Sequence, residues 1–275
     1  MKRIQTVAAC LLGLLTIDAA LACDFSWRGQ EVQGGLIFGF TEPGANVTVD
    51  KRSVRVSADG AFLLGFGRDE TEPRNVNIVC ADGAIATHSF RPKSREYAIQ
   101  KITGVPQRTV TPSEAHLKRI RSENAQIGRA RKLDDARTDF LQDFIWPVEG
   151  PITGVYGSQR VYNGKPRRPH FGVDVAAPVG TLVVAPSDGL ITLAHPDMFY
   201  SGGTVFLDHG HGLSSAFLHM DTVTVTKGQK VKQGDPIGTV GAKGRATGPH
   251  LDWRMNLFRT RLDVELFMPT RPDQN

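Results

Sequence analysis

Between positions 30 and 100 apolar residues come in short runs broken by turn signals. Leu36-Ile37-Phe38 precedes a Pro43-Gly44 turn, and Val47 and Val49 alternate with Thr48 and Asp50. Val54 and Val56 alternate with polar residues up to Asp59-Gly60. Phe62-Leu63-Leu64, Val76 to Cys80, an Asp82-Gly83 turn and Ala84 to Phe90 follow. Successive side chains on a strand point to opposite faces, so this spacing predicts a small β-sandwich over 23–105. His88 is the one histidine of that segment, and no group of catalytic residue types accompanies it, which favours a spacer or binding module.

The period then lengthens. Thr111-Pro112-Ser113-Glu114 reads as an N-cap, a proline at the first helical position and a capping-box glutamate. Leu117, Ile120, Ile127 and Leu133 recur at helical spacing, which predicts a linker helix within 106–140 that ends near Arg137. Its basic residues, Arg131 among them, make a solvated face or a surface for an anionic polymer. From Phe144 onward short apolar runs return: Leu182 to Ala185, Leu190 to Leu193, Thr204 to Leu207, Val223 to Val225 and Ile237 to Val240. Glycine turns separate them, as at Asp188-Gly189 and Gly202-Gly203, so 141–275 reads as antiparallel β. The fold class is mainly β, with one helix between two β regions.

The first residues change the picture. Lys2 and Arg3 precede an apolar run, Val7 to Ile17, that is too short to span a bilayer, and Ala20-Leu21-Ala22 is an A-x-A cleavage signal. Residues 1–22 read as a signal peptide, which leaves no transmembrane segment after its removal and implies secretion across the inner membrane. Of the three cysteines, cleavage removes Cys10 and leaves Cys23 and Cys80. These two suit a disulfide in an oxidising compartment, whereas a lipid on Cys23 would exclude it; both readings stand at this point. A net charge of +5 assists approach to an anionic polymer without naming one, and no nucleic-acid partner is expected from charge alone.

The candidate chemistry lies in the C-terminal region. His170 and Asp174 form H-x-x-x-D, His250 and Asp252 form H-x-D, and His219 follows Phe217-Leu218. Zinc takes nitrogen, sulfur and carboxylate ligands, and a catalytic site keeps one position open. Residues two apart on a strand face the same side, so His250 and Asp252 can share a site. Pro169 and Gly172 suggest that His170 sits on a loop feeding a strand around Asp174. His209 and His211 imitate a ligand pair, but Gly210 and Gly212 place them in a turn with a structural or surface role. Arg254 and Asn256 continue the alternation after Asp252, at the cleft or on an ordinary surface.

A set of motifs then gathers in order: Trp146-Pro147, Gly154-Val155-Tyr156-Gly157, His170-Phe171-Gly172-Val173-Asp174, Ala185-Pro186-Ser187-Asp188-Gly189, Phe217-Leu218-His219, Gly228-Gln229-Lys230-Val231, Gly234 to Gly238, and Gly244 to Asp252. Over about 141–260 the chain resembles the lysostaphin/LytM-type M23 metallopeptidases. The resemblance implies a zinc endopeptidase acting on the peptide stems of peptidoglycan, and with it a periplasmic location. His170, Asp174 and Asp252 would bind Zn2+; His219 and His250 would stay unligated, orient or deprotonate the attacking water and stabilise the charged intermediate.

One position departs from the family pattern, which ends in H-x-H where this chain reads His250-Leu251-Asp252. Carboxylate is a sound zinc ligand, at about 2.0–2.2 Å against about 2.0–2.1 Å for imidazole. Two aspartates would neutralise the ion's charge, make its water less acidic and shift preference towards harder ions. The substitution keeps open a non-catalytic role, as a regulator that binds cell wall and activates an amidase, with an amidase or a divisome component as partner. A biotinyl- or lipoyl-type carrier domain is disfavoured, since no lysine sits on a convincing hairpin.

Overall fold

A computed structural model describes residues 23–104 and 111–269, so the expected signal segment 1–22 lies outside the described residues. Strands β1 (Phe25–Gly29), β2 (Leu36–Thr41) and β5 (Ala61–Gly65) form one sheet, in the order β1-β2-β5. Strands β3 (Asn46–Val49), β4 (Arg52–Ser53), β6 (Arg74–Val79) and β7 (Ile85–Phe90) form a second, in the order β4-β3-β6-β7. Ile37, Phe62 and Leu64 of the first meet Val47, Val49, Val76 and Ile78 of the second in one core. Cys23 and Cys80 are joined by a disulfide, with Cα atoms 5.8 Å apart. Of the two readings open for Cys23, the structure takes the disulfide.

The runs Leu36-Ile37-Phe38 and Ala61-Phe62-Leu63-Leu64 lack polar alternation because both faces of β2 and β5 are covered. Ile37, Phe62 and Leu64 face the sandwich core, whereas Leu36, Phe38, Ala61 and Leu63 belong to the core of the C-terminal region, with Phe140, Leu213, Met255 and Leu262. Full burial of a large apolar side chain is worth about 1.5–3 kcal/mol, so this contact fuses the two β regions. Arg95 adds an ion pair to the nearly inaccessible Asp263 at 2.8 Å. Strand β8 (Ile99–Ile102) later pairs in parallel with a strand of the C-terminal region.

Helix α1 spans Glu114–Ala130. Its N-cap is Ser113, whose hydroxyl accepts from the His116 N–H at 3.4 Å, so the Thr111 cap expected from the sequence lies two residues too early. The helix also stops short of Arg137. There Asp135 accepts the Arg137 N–H at 3.1 Å, and Arg137 bonds the Asp139 carboxylate at 2.6 Å and the Asp208 carbonyl at 2.8 Å. Such local side-chain bonds offer the backbone an alternative to helix. The buried Glu123 fixes α1 in place: one oxygen accepts from Arg119 at 2.6 Å, the other from the Phe199 N–H at 2.8 Å. Ile127 and Ala130 pack on Leu193, Met198, Phe206 and Leu218.

The C-terminal region comprises β9 (Ile152–Gly154), β10 (Gln159–Tyr162), β11 (Lys165–Pro166), β12 (Val173–Ala176), β13 (Leu182–Val184), β14 (Gly189–Met198) and β15 (Gly202–Asp208). It continues with β16 (Leu213–Met220), β17 (Thr222–Val223), β18 (Lys230–Val231), β19 (Pro236–Thr239), β20 (His250–Leu257) and β21 (Thr260–Leu262). An antiparallel sheet runs β18-β14-β15-β16-β20-β12-β9, with β21 on β20, and a smaller sheet runs β13-β19-β17. Val183, Ile191, Val205, Phe217, Leu251 and Trp253 fill the space between them. The mainly β class and the single helix expected from the sequence hold for the described residues. No helix among them is long and apolar enough to cross a membrane.

Candidate metal centre and cleft

Strand register assembles the site. Strands β12 and β20 pair so that Asp174 lies directly opposite Asp252, and Leu218 pairs with Asp252 from the other side. His219 follows Leu218 and adopts φ +65°, a left-handed conformation that is uncommon outside glycine. This turns it out of the strand geometry and sets its ring 4.8 Å from that of His250. His170 reaches the same place from the loop before β12, as Pro169 and Gly172 suggest. The ligand-capable atoms of His170, Asp174 and Asp252 lie within 4.8 Å of one another. All five candidate residues are thus brought together.

The donor atoms fit a cation. His170 is buried, and neither ring nitrogen makes a hydrogen bond. Its Nε2 lies 3.0 Å from Asp174 Oδ1, which also accepts no hydrogen bond. Buried polar atoms without partners are rare and call for a ligand. The two neighbouring imidazoles are oriented from behind. His219 Nδ1 lies 2.7 Å from the Lys243 carbonyl, and His250 Nδ1 lies 2.8 Å from the Gly248 carbonyl. A carbonyl only accepts, so each Nδ1 carries the proton and each Nε2 of the neutral ring is left as an acceptor. His250 Nε2 is 3.7 Å from Asp174 Oδ1. Burial, with His250 alongside, pushes the His219 pKa down to about 4, so this ring is neutral near pH 7.

Two arginines complete the electrostatics. Arg254 donates to both oxygens of Asp252, and Arg160 pairs with Asp174 Oδ2. Burial works to raise both carboxyl pKa values, but Arg254 and His170 at Asp252, and His170 and Arg160 at Asp174, hold them below the usual carboxylate range. Both stay ionised, and the two guanidiniums balance their charge. The expectation that two aspartates alone set the charge at the ion is therefore corrected by Arg254, whose place the sequence left open, and by Arg160, which the sequence did not single out. Glycines make room for this packing. A methyl group at Gly172 would come within 2.5 Å of Asp252 Oδ1, and one at Gly154 would overlap Asp174 Oδ2.

His209 and His211 stand elsewhere and are buried rather than on the surface. His209 bridges the Asp188 carbonyl and the Ser215 hydroxyl, each at 2.9 Å, and His211 packs on Phe140.

Residues 168–264 match the model of Peptidase family M23. The chain carries a peptidase family M23 domain. Peptidoglycan DD-endopeptidase ShyA of Vibrio cholerae is 42% identical over 89 residues, 32% of this chain and 20% of that protein. Cell division protein DipM of Caulobacter vibrioides is 34% identical over 120 residues, 44% of this chain and 19% of that protein. The chain thus spans about a fifth of the length of these curated relatives. A crystal structure of a candidate M23 peptidase from Pseudomonas aeruginosa superposes with TM-score 0.65 at 29% identity, covering 87% of this chain and 95% of that one. A match of that extent takes in the N-terminal sheets as well as the M23 domain.

The M23 domain does not close its cleft alone. A cavity of about 570 Å³ opens beside His170, His219 and Asp252, and Asn124, Ile127 and Arg131 of α1 and its C-cap form part of its wall. Tyr162 and Arg160 of β10 form another part, backed by β8. The sequence marked α1 as a linker whose basic residues form a solvated face or a surface for an anionic polymer, not as a wall of the cleft. Its role in the cleft depends on a long-range contact that periodicity does not encode.

Proposed function

We propose that the chain is an exported, metal-dependent endopeptidase that hydrolyses peptide cross-links of peptidoglycan. The observation that carries this reading is the buried imidazole of His170, with no hydrogen bond at either ring nitrogen, set within ligand reach of Asp174 Oδ1 and Asp252. His170, Asp174 and Asp252 would hold zinc, which when bound supplies Lewis acidity towards a scissile carbonyl and a water. The chain's own residues supply proton handling. His219 and His250 turn their Nε2 atoms towards the site, one placed to take a proton from attacking water and the other to donate to the developing oxyanion. The relatives named as peptidoglycan DD-endopeptidases support the substrate class. The A-x-A signal and the Cys23–Cys80 disulfide support export to an oxidising compartment.

The test is incubation of the zinc-loaded protein with isolated sacculi and mass spectrometry of what is released. Chelator-sensitive release of uncross-linked muropeptides is expected. The reading fails if no peptide bond is cut across pH and with manganese or cobalt in place of zinc.

A second reading has its own observation: Arg254 occupies both oxygens of Asp252. If that pair resists opening, the domain would bind cell wall and regulate an amidase without cutting. Stoichiometric zinc binding without cleavage, together with stimulation of an amidase, would favour it.

A further inference from the structure

Seven arginines line the cleft against a single carboxylate, that of Asp252. Two of them, Arg160 and Arg254, are engaged with the candidate metal ligands. Three others, Arg131, Arg245 and Arg261, form no ion pair among the described residues, although each is set deep in the wall. Arg131 Nε has no accessible surface and no hydrogen-bond partner. Its guanidinium lies 5.1 Å from the Phe206 ring centroid. Arg245 sits 4.9 Å from the Tyr162 ring and 4.6 Å from the Tyr200 ring. Arg261 donates to Asn256 Oδ1 and lies 5.9 Å from the Phe171 ring.

This arrangement is costly without a ligand. A guanidinium remains charged in proteins, and taking it from water without a counter-ion is unfavourable. Burial depresses all three pKa values. Mutual repulsion adds to this: Arg261 and Arg254 act on Arg131, Arg254 and Arg160 on Arg245, and Arg254 and Arg168 on Arg261. Aromatic faces repay part of the cost and hold the guanidinium planes. A guanidinium set against a ring keeps in-plane N–H groups for other acceptors, the geometry that matches a planar carboxylate by paired hydrogen bonds, and Arg131 Nε is already buried without one.

We propose that Arg131, Arg245 and Arg261 form a carboxylate-binding wall that selects peptides bearing at least two free carboxylates beside the scissile bond. This rests on the endopeptidase reading for the identity of the peptide, but not for the binding of the carboxylates. Arg131 sits at the end of α1, outside the residues that match the M23 family model, so the helix supplies part of substrate selection.

The test uses the full mature chain with stem peptides released from sacculi, in two forms: free carboxyl groups, or the same peptides with side-chain and terminal carboxyls amidated. Calorimetry measures binding to the metal-free protein, and mass spectrometry measures turnover by the zinc-loaded protein. The free acid should bind at least tenfold more tightly than the amide. Arg131→Gln and Arg245→Gln should each weaken the acid roughly ten- to a hundredfold, the range for hydrogen bonds to charged groups, and leave the amide unchanged. Arg131→Lys should recover part of the loss, and circular dichroism confirms that each variant folds. Equal binding of acid and amide, or equal losses for both in the variants, overturns the proposal. So does inorganic phosphate competing at the same concentration as the peptide acid, which marks an unselective anion site. Retained acid preference without turnover would sink the endopeptidase reading and leave the carboxylate wall standing.

Discussion

Arg254 holds both carboxylate oxygens of Asp252 from two positions further along the same strand, at 2.9 and 2.5 Å. Alternation on β20 puts the two side chains on one face, so the anion and its counter-ion arrive together. Arg160 pairs with one oxygen of Asp174, Oδ2, from the neighbouring hairpin. The pairs keep two carboxylates ionised a few ångströms apart while cancelling the charge they would otherwise present to a cation.

Breaking the pair exposes this balance. Arg254→Gln should cost the metal-free protein about 3–5 kcal/mol, because it strands a buried carboxylate. Zinc should restore more of that loss in the variant than it adds to the wild type. Thermal unfolding with and without zinc measures it; equal zinc stabilisation of both proteins would show that Asp252 does not serve the metal.

His219 and His250 should separate catalysis from metal binding. His219→Ala and His250→Ala are expected to retain zinc by elemental analysis yet release muropeptides about 10²–10⁴-fold more slowly, the usual worth of a positioned acid or base. Loss of zinc in either variant would make that histidine a ligand instead.

Gly154 and Gly172 predict an effect of volume alone. Neither has a left-handed φ, so alanine is conformationally allowed, but its methyl group would push the carboxylate of Asp174 or Asp252. Gly154→Ala and Gly172→Ala should lose about 1–3 kcal/mol of stability and bind zinc more weakly. Calorimetric titration with wild-type zinc affinity for both would show that the carboxylates tolerate displacement.

His209 gives acid sensitivity far from the cleft. Burial pushes its pKa down to about 4, against about 6.5 in an unfolded chain. Between these values the unfolded state binds a proton that the folded state does not. Its contribution is full above about pH 6.5, declines as pH falls, and is lost below about pH 4, with an order of 3 kcal/mol in total. Urea unfolding at pH 7 and pH 4.5 should show a smaller drop for His209→Gln than for the wild type. Equal drops would place the acid sensitivity on other groups.

Much of this was legible in the sequence. His170, Asp174, His219, His250 and Asp252 stand in ordered motifs, and i, i+2 spacing on a strand foretold that His250 and Asp252 share a face. What stayed hidden depends on contacts across the chain. No local pattern reveals that Arg160 meets Asp174, or that Arg131 enters the cleft. The helix boundaries moved because Ser113 out-competes Thr111 as a cap and the Arg137 knot of aspartates ends the helix early. The uninterrupted apolar character of β2 and β5 was itself a signal of two-sided burial that a half-exposed sandwich does not require.

That two-sided burial has a further meaning. Leu36, Phe38, Ala61 and Leu63 wall the C-terminal core as well as backing their own sheet. Cutting the chain after this sheet would uncover oily surface on both halves at once. Neither half is a detachable cassette, and any ancestor or descendant carrying the peptidase part alone must have repainted that flank with polar residues.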